Sequence, residues 1–530
     1  MHSLAYETNS KIGRKESFRV KRKIAKKLAQ RKRKIRKRLD KRSLPEEPRP
    51  MLNPGRIQYE IADRARGITC GGIGAVQMLV QKLGLDKAID SRLRIFKLHN
   101  PYFESDHVLN IAYNILCDGD CLEDIEKLRN DETYLDAVGA ERIPDPTTAG
   151  DFCRRFSSEH VEILQDIIND IRLKVWAQQD PVFFKEAVID ADGTIAPTTG
   201  ECKEGMDISY QGLWGYHPLL VSLSNTGEPL YLCNRSGNCT SSKDAARYLD
   251  RAAAVCLQAG FKKIRFRGDT DFSQTAYLDG WDKKGITFVF GINAMPNLVR
   301  MAENLPQTAY TDLLRPARYT VRTGPRSKPA NIKEQIVKER GYQNIRLCSE
   351  QTAEFEYRPV KCQTSYRIVV LRKNLTVEKG EQALFDDIRY FFYITNDRKS
   401  SRAEIVRQAN NRCNQENLIA QLKSGVNAMK LPVDNLVSNW AYMVMASLAW
   451  NLKAWYALLL PVSNRWKDQH ERQKQKILRM EFKTFRKYFV TLPCQIVKTG
   501  RRLLYRLLGW NEYLDAFFRA MDSFCRPLRC

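Results

Sequence analysis

The most constraining feature of the sequence is an apolar segment, residues 182–197, that ends in acidic side chains. Its β-branched and aromatic residues predict a mostly buried strand. Because side chains alternate along a strand, Asp190 and Asp192 are expected on the same face as Val188. Carboxylates at the end of a buried strand repel each other and resist desolvation unless a cation lies beside them. A divalent metal ion is one interpretation. A strand end that enters solvent, or an Asp that caps the following turn, is the other.

The order of the predicted elements indicates an α/β fold. Two further strand-like runs, residues 212–224 and 230–234, surround a hairpin turn signal. A helix, a strand that ends at Asp269, a short helix and a strand at 286–292 follow. This order is the layout of a ribonuclease-H-like fold, whose first and fourth strands place carboxylates side by side. We therefore expect Asp192 to lie next to Asp269.

Basic residues are concentrated near the N-terminus. The chain has 87 Lys and Arg against 61 Asp and Glu, a formal charge of +26, which predicts a polyanionic partner. Residues 11–50 alone contain 19 Lys and Arg and four Asp and Glu. We expect this arm to bind DNA and to become ordered only there. The residues expected to contact phosphates are Arg31, Lys32, Arg33 and Lys34. The alternatives are a disordered tail with non-specific affinity and a helix on an anionic membrane surface.

Membrane insertion and secretion are not indicated. The longest apolar stretch, residues 436–462, contains Asn439, Asn451 and Lys453, which a membrane helix would avoid. Residues 1–10 are polar and do not form a secretory signal. The 14 cysteines include no CxxC pair and no zinc-site cluster, so reduced thiols are expected. The sequence predicts a cytoplasmic protein without a membrane partner or a small-molecule cofactor.

A further acidic residue is predicted on a helix late in the chain. Ser401 and Glu404 form a capping box that opens this helix. Arg412, Glu416 and Lys423 fall at roughly 0°, 40° and 20° around its axis, so all three share one face. A Glu between Arg and Lys on a helix is, by itself, typical of a solvated salt-bridge pattern.

The predicted domain organisation has a catalytic core with an insertion, flanked by helical regions at both ends. The regions are a basic arm (1–50), a helical N-terminal DNA-binding region (51–180), the first part of the ribonuclease-H-like core (181–294), an inserted β-rich subdomain (295–395), a core helix that carries Glu416 (396–430) and a C-terminal helical region (431–530).

Together, Asp192, Asp269 and Glu416 are what phosphodiester cleavage requires. Two divalent cations held roughly 3.5–4 Å apart by carboxylates activate the attacking oxygen and neutralise the leaving oxygen. Mg²⁺ prefers oxygen ligands and retains several waters, so a few carboxylates suffice. Arg412 and Lys423 are then placed to bind phosphate.

The chain resembles a known family at four motifs. They are residues 190–194, 215–219, 267–272, and 411–417 with Lys423. The sequence is similar to DDE transposases of bacterial insertion sequences, in the insertion sequence 1380 family and its hairpin-forming relatives. Their tyrosine–arginine–glutamate–lysine signature matches Arg412, Glu416 and Lys423, whereas its tyrosine position falls on Ala409. The resemblance spans roughly residues 60–520.

The resemblance implies a catalytic triad of Asp192, Asp269 and Glu416 that binds two Mg²⁺ ions, with Mn²⁺ as a substitute. Asp190 is a rival for the first position. The implied reaction is cut-and-paste DNA transposition, with metal-dependent cleavage and strand transfer at the terminal inverted repeats of an insertion sequence. The implied partners are double-stranded repeat and target DNA and a second subunit, in a nucleoid-associated bacterial protein.

Two aromatic residues and two other functions complete the expectations. Trp214 and Tyr216 are candidates for stacking on a displaced base, with core packing as the alternative. A structure-specific nuclease on the same fold would use the same chemistry. A non-catalytic DNA-binding protein derived from a transposase would keep the fold without turnover.

Overall fold

The computed structural model describes residues 22–38, 66–99, 101–315, 332–379, 382–499 and 502–528. Residues 22–38 form a helix, α1, which carries the basic residues 31–34. The rest of the predicted basic arm lies outside the described residues. That the arm becomes ordered only on DNA therefore stays a prediction.

The N-terminal region is helical, as its apolar periodicity predicts. After a short strand, β1 (Gly67–Ile68), its helices are α2 (Ile73–Leu83), α3 (Leu85–Arg92), α4 (Glu104–Leu116), α5 (Ile125–Arg129), α6 (Glu132–Val138), α7 (Pro146–Arg154) and α8 (Ser158–Trp176). Gly84 ends α2 in the left-handed conformation that glycine adopts at little cost. Asp145 and Ser157 cap α7 and α8 through their side-chain oxygens. These end signals are local in sequence.

A mixed sheet of nine strands forms the centre of the protein. The strands up to residue 395 are β2 (Ala187–Gly193), β3 (Ala196–Pro197), β4 (Asp207–Ile208), β5 (Trp214–Tyr216), β6 (Leu219–Leu223), β7 (Glu228–Cys233), β8 (Ile264–Gly268), β9 (Thr287–Ile292), β10 (Thr311–Asp312), β11 (Gln343–Tyr357), β12 (Tyr366–Lys379) and β13 (Gln382–Thr395). The central sheet has the order β10-β11-β12-β13-β9-β8-β2-β6-β7, and β3, β5 and β4 form a separate small sheet.

Strand β2 lies inside the central sheet, between β6 and β8. It pairs antiparallel with β6 and parallel with β8, and β8 pairs parallel with β9. Helix α9 (Ala245–Ala259) connects β7 to β8, and α10 (Thr275–Lys283) connects β8 to β9. Because β2 and β8 are parallel neighbours, their C-terminal ends meet at the same edge of the sheet. The acidic residues that follow them are therefore neighbours.

Residues 295–395 extend the central sheet. Helices α11 (Pro296–Glu303) and α12 (Ile332–Glu339) precede the three long strands β11, β12 and β13. Strand β13 continues the sheet by pairing antiparallel with β9 over its last residues, 392–395. Helix α13 (Arg402–Asn410) packs on this part of the sheet through Ile405 and Val406, against Val369 and Leu371. The strands of this segment therefore support the part of the chain that leads to Glu416.

The C-terminal region contains strands as well as the predicted helices. Its helices are α14 (Cys413–Ala420), α15 (Leu436–Leu458), α16 (Lys467–Leu478), α17 (Phe482–Phe485) and α18 (Leu514–Phe524), and its strands are β14 (Cys494–Thr499) and β15 (Arg502–Leu507). Strand β14 pairs with both β1 and β15. The helical N-terminal region and the C-terminal region therefore share a three-stranded sheet.

Helix α15 is buried along almost its whole length. It packs against α4, α8 and β7, in keeping with the prediction of a buried core helix. Two of its buried asparagines are accommodated by hydrogen bonds: Asn439 donates to the carbonyl of Val433, and the Asn451 side chain accepts from Arg172. No helix in the described ranges has the length and apolar character needed to cross a bilayer.

Lys453 on α15 gives the folded protein a predicted pH dependence. Its Nζ donates to the Leu478 carbonyl at 2.7 Å and lies 3.8 Å from the centre of the Trp450 ring. Burial lowers the pKa of this amine from 10.5 to about 7. Between these values the unfolded chain holds a proton that the folded chain has lost, so stability rises with pH by up to about 1.4 kcal/mol per unit.

Lys453→Met is expected to remove this rise and to make the protein more stable at pH 7, because an apolar side chain replaces a buried amine. Urea unfolding at pH 7, 8 and 9 measures the effect as a difference from the unmodified protein. The matched control is the exposed Lys467→Met, whose difference in stability from the unmodified protein should not change with pH. Parallel stability curves for Lys453→Met and the unmodified protein would contradict the prediction.

Candidate functional site

Asp190 and Asp192 both lie on β2, but in different surroundings. Asp190 is 1% exposed, and both of its carboxylate oxygens accept hydrogen bonds from Arg267 at 2.7 Å. Arg267 lies on β8 directly beside Asp190 in the strand register, and it also donates to the Ser224 hydroxyl at 2.7 Å. Asp190 is therefore committed to a buried ion pair that joins β2 to β8.

Asp192 lies at the end of the same strand and faces a cavity of about 380 Å³. Its Oδ2 is 3.5 Å from Nη1 of Arg412. Burial raises the pKa of the Asp192 carboxyl to about 7, and the nearby Asp269 acts in the same direction, whereas Arg412 opposes the shift. Asp192 is thus a partly exposed carboxylate with one long contact to an arginine, unlike the fully paired Asp190.

Asp269 follows β8 and faces the same cavity. Its Oδ1 accepts a hydrogen bond from the Asp271 amide at 2.9 Å, which caps the short helical turn that follows. Gly268 is needed before it, because a Cβ atom there would lie 2.6 Å from Cβ of Phe272. Burial also raises the pKa of Asp269, against the effect of Arg412. The predicted adjacency of Asp192 and Asp269 is present.

Glu416 reaches the site from a helix that is shorter than predicted. Ser401 caps α13 as expected, but the chain turns at residues 411–412, and Glu416 lies on the separate helix α14. Its side chain is 59% exposed, and its Oε1 lies 3.9 Å from Nη2 of Arg412. Arg412 and Glu416 are four residues apart in sequence, and they remain in contact despite the break between the two helices.

Lys423 lies in a wider, π-helical turn, Gln421–Gly425, that follows α14. Such turns are frequent at functional sites. Lys423 lines the same cavity, and its Nζ donates to the Ile195 carbonyl at 2.8 Å, which ties this turn to the loop after Asp192. Burial lowers the pKa of the Lys423 amine.

The guanidinium of Arg412 lies among the three acidic residues. It is 3.5 Å from Asp192, 3.9 Å from Asp269 and 3.9 Å from Glu416. Within the described ranges, no group of three or more His, Cys, Asp or Glu side chains is arranged to hold a metal ion. The donor chemistry of the site nevertheless suits a hard divalent cation, because its acidic groups are all carboxylates.

The two aromatic candidates differ in exposure. Trp214 is 54% exposed, whereas Tyr216 is buried, and its hydroxyl donates to the Glu204 carbonyl at 2.7 Å. Tyr216 therefore packs in the core, which was the alternative to stacking. Two residues near Trp214 in the sequence, Tyr210 (80% exposed) and Leu213, line the cavity that holds Asp192 and were not predicted. The signal in the sequence was the segment 209–214, in which polar residues and a glycine, typical of a turn, stand beside tyrosine and tryptophan.

The basic residues of α1 have two kinds of surroundings. Nη1 of Arg31 donates to the carbonyls of Leu507 and Gly509, at 3.0 and 2.9 Å, and so attaches α1 to the C-terminal region. Lys32, Arg33 and Lys34 are exposed. Arg31 therefore anchors the helix, and the other three side chains remain accessible.

Comparisons with known proteins give a family and a structural likeness. The family model described as "Transposase DDE domain group 1" matches residues 67–526. No curated protein matches the sequence. The solved structures that match include the piggyBac transposase synaptic complex with hairpin DNA, which is 9% identical, with a TM-score of 0.35, over 79% of this chain and 81% of that chain. The family match covers most of the chain, including all three acidic residues and Arg412, and this chain therefore belongs to the DDE transposases of domain group 1.

Proposed function

We propose that this protein is an active transposase that cleaves DNA at the terminal repeats of an insertion sequence and joins the ends to target DNA by a cut-and-paste route. One observation carries the proposal. Asp192, Asp269 and Glu416, which are far apart in sequence, all lie within 4 Å of the same guanidinium. A transposase that had lost its catalysis would have no need to keep three carboxylates around one guanidinium, two of them facing the same cavity.

The proposed catalytic core is ribonuclease-H-like. Its support is the order of five strands, β7-β6-β2-β8-β9, with β6 antiparallel to its neighbours and β8 parallel to both β2 and β9. This is the connectivity expected from the sequence, with the first and fourth strands side by side. The finer assignment to the insertion sequence 1380 family rests on the four sequence motifs.

Asp192, Asp269 and Glu416 would hold the divalent cations, which we propose to be two Mg²⁺ ions, replaceable by Mn²⁺. When bound, the cations would supply charge stabilisation for the attacking and leaving oxygens of the phosphodiester. Lys423 holds the loop after Asp192 through Ile195 and so keeps this carboxylate at the cavity. Asp190 and Arg267 fix the register of the two strands that end at the site.

The DNA end would lie over the small sheet beside the carboxylates. Trp214 and Tyr210 present exposed aromatic faces there, and aromatic faces stack on unpaired bases. Pro197 and Leu213 line both the carboxylate cavity and a second cavity of about 850 Å³, which Trp214 and Lys430 also line. We propose stacking for Trp214 and not for Tyr216, which is buried.

The accessible basic residues of α1 would bind DNA phosphates. Replacing Lys32, Arg33 and Lys34 together by Gln is expected to reduce the slope of log K against log salt by up to about 2.7, because each lost phosphate contact removes about 0.9. Fluorescence anisotropy with a DNA duplex at several salt concentrations measures the slope. Lys262→Gln with Lys263→Gln, two exposed residues outside α1, is the control. An unchanged slope would mean that α1 does not contact DNA.

The remaining partners and the location are part of the same proposal. Two DNA ends must be held together for joining, so we propose a homodimer on DNA. We also propose that the protein acts in the bacterial cytoplasm at the nucleoid, on terminal inverted repeats and target DNA.

The deciding experiment incubates the protein with linear DNA that carries the repeats flanking its gene, in Mg²⁺ or in EDTA, and maps the cuts. Cleavage at the repeat boundary that requires Mg²⁺ is the expected result. Binding without cleavage would favour a DNA-binding protein derived from a transposase. Cuts scattered without regard to the repeats would favour a structure-specific nuclease.

Glu416→Gln is expected to keep binding to repeat DNA and to abolish metal-dependent cleavage, because the amide keeps the shape of the side chain but loses its charge. The exposed Glu404→Gln on α13 is a matched control, since it removes one carboxylate from an exposed ion pair with Arg407. Gel assays of binding and cleavage on the same DNA separate the two effects. Retained cleavage in Glu416→Gln would exclude Glu416 from the catalytic set.

A further inference from the structure

Arg412 occupies an unusual place for a residue expected to bind phosphate. Its side chain is 24% exposed and lies between carboxylates from β2, from the turn after β8 and from α14. Nη1 faces both Asp192 and Asp269, and Nη2 faces Glu416. Its donors are therefore directed at the protein's own acidic groups and not at solvent.

The three carboxylates need a positive charge between them. Carboxylates that all lie within 4 Å of one guanidinium are close enough to repel each other strongly in a partly buried site. In the described part of the chain, Arg412 is the one Lys or Arg side chain within 4.0 Å of any of the three. The other cations nearby are engaged elsewhere: Lys423 bonds to the Ile195 carbonyl, and Arg267 bonds to Asp190.

The contacts of Arg412 with the three carboxylates are long. Arg412 lies in the turn, residues 411–412, that joins α13 to α14. The distances of 3.5 to 3.9 Å are longer than those of a tight bidentate pair such as Arg267 with Asp190, at 2.7 Å. Arg412 is thus held by charge more than by fixed hydrogen bonds.

We infer that Arg412 is an internal counter-cation: it holds the three carboxylates together before divalent cations bind, and it moves from them to a DNA phosphate when the cations arrive. The inference rests on the proposed function, because it concerns the same carboxylates. Arg412 would then pair first with the carboxylates and afterwards with a DNA phosphate. Metal binding and DNA-end binding would therefore depend on each other.

Metal affinity without DNA tests the first half of this inference. Mn²⁺ binding is measured by electron paramagnetic resonance for the unmodified protein, Arg412→Gln and Asp192→Asn. The expected result is about tenfold tighter Mn²⁺ binding by Arg412→Gln, since a competing cation is gone, and weaker binding by Asp192→Asn. Arg407→Gln, which removes an exposed guanidinium paired with Glu404, is the matched control and should bind as the unmodified protein does.

The outcomes separate this inference from the proposed function. If Asp192→Asn weakens Mn²⁺ binding and Arg412→Gln leaves it unchanged or weaker, the metal site stands and the inference is overturned. If Asp192→Asn has no effect on Mn²⁺ binding, both the proposed metal site and the inference fail.

DNA-end binding tests the second half. Fluorescence anisotropy with a repeat-end duplex is measured in EDTA and in Ca²⁺, an ion chosen to occupy oxygen ligands while cleavage is avoided. Arg412→Gln is expected to weaken end binding about tenfold in Ca²⁺ and to change it little in EDTA, where Arg412 still faces the carboxylates. An equal loss in both conditions would mean that Arg412 contacts phosphate throughout, and would overturn the inference.

Discussion

Asp192→Asn is expected to lower metal-dependent DNA cleavage by about 10³-fold or more while the protein stays folded. The amide has the shape of the carboxyl but no charge, so the proposed metal site would lose a ligand worth several kcal/mol of transition-state stabilisation. Cleavage of repeat DNA in Mg²⁺ measures the loss. The variant retains the neighbouring ion pair of Asp190 with Arg267, which supports the same strand.

The stability of Asp192→Asn provides an independent check. The pKa of Asp192 in the folded protein, about 7, is above its usual value of 3.8, so the folded state favours the protonated form. Ionisation therefore opposes folding as pH rises through this window. Asn removes that effect, and the variant should be at least as stable as the unmodified protein at pH 8. Cleavage by the variant would contradict the assignment of Asp192, and a less stable variant would contradict the effect of its ionisation on folding.

Asp190→Ala is expected to have the opposite profile and to destabilise the protein by about 3–5 kcal/mol, because it leaves a buried guanidinium without its carboxylate. Arg267 is 5% exposed, and its remaining side-chain partner is the Ser224 hydroxyl, with the Gln408 carbonyl as a further acceptor. Urea unfolding measures the loss. Affinity for Mn²⁺ in the folded variant should stay close to that of the unmodified protein.

A double variant distinguishes a structural pair from a metal ligand. Asp190→Leu with Arg267→Met removes both charges and should recover most of the stability that Asp190→Ala loses, as replacement of buried pairs by apolar side chains often does. Normal stability of Asp190→Ala together with lost Mn²⁺ affinity would instead make Asp190 the first metal ligand.

The sequence does not decide which of Asp190 and Asp192 faces the site. Alternation along β2 places both on one face, and the sequence left the choice between them open. The choice depends on the strand beside β2. Parallel pairing sets Arg267 next to Asp190, so the arginine neutralises this residue and leaves Asp192 at the cavity. Register between strands separated by a helix is not encoded in either strand alone.

The helix that carries Glu416 shows a similar limit. Helical spacing predicted that Arg412, Glu416 and Lys423 would share one face of a continuous helix. The chain instead turns at 411–412 and widens into a π-helical turn at Gln421–Gly425. Arg412 and Glu416 stay in contact, because four residues still span about one turn. The partners of Arg412 come from β2 and β8, and helical spacing could not reveal them.

Local patterns in the sequence determined the caps of α7, α8 and α13, the buried character of α15 and the acidic ends of β2 and β8, because each depends on neighbouring residues. Tertiary structure decided what depends on distant residues. It paired Asp190 with Arg267, buried Tyr216 while exposing Trp214, and joined β1 to β14 across more than 400 residues. The common reason is that burial and charge pairing are set by which segments pack together, and packing is a property of the whole chain.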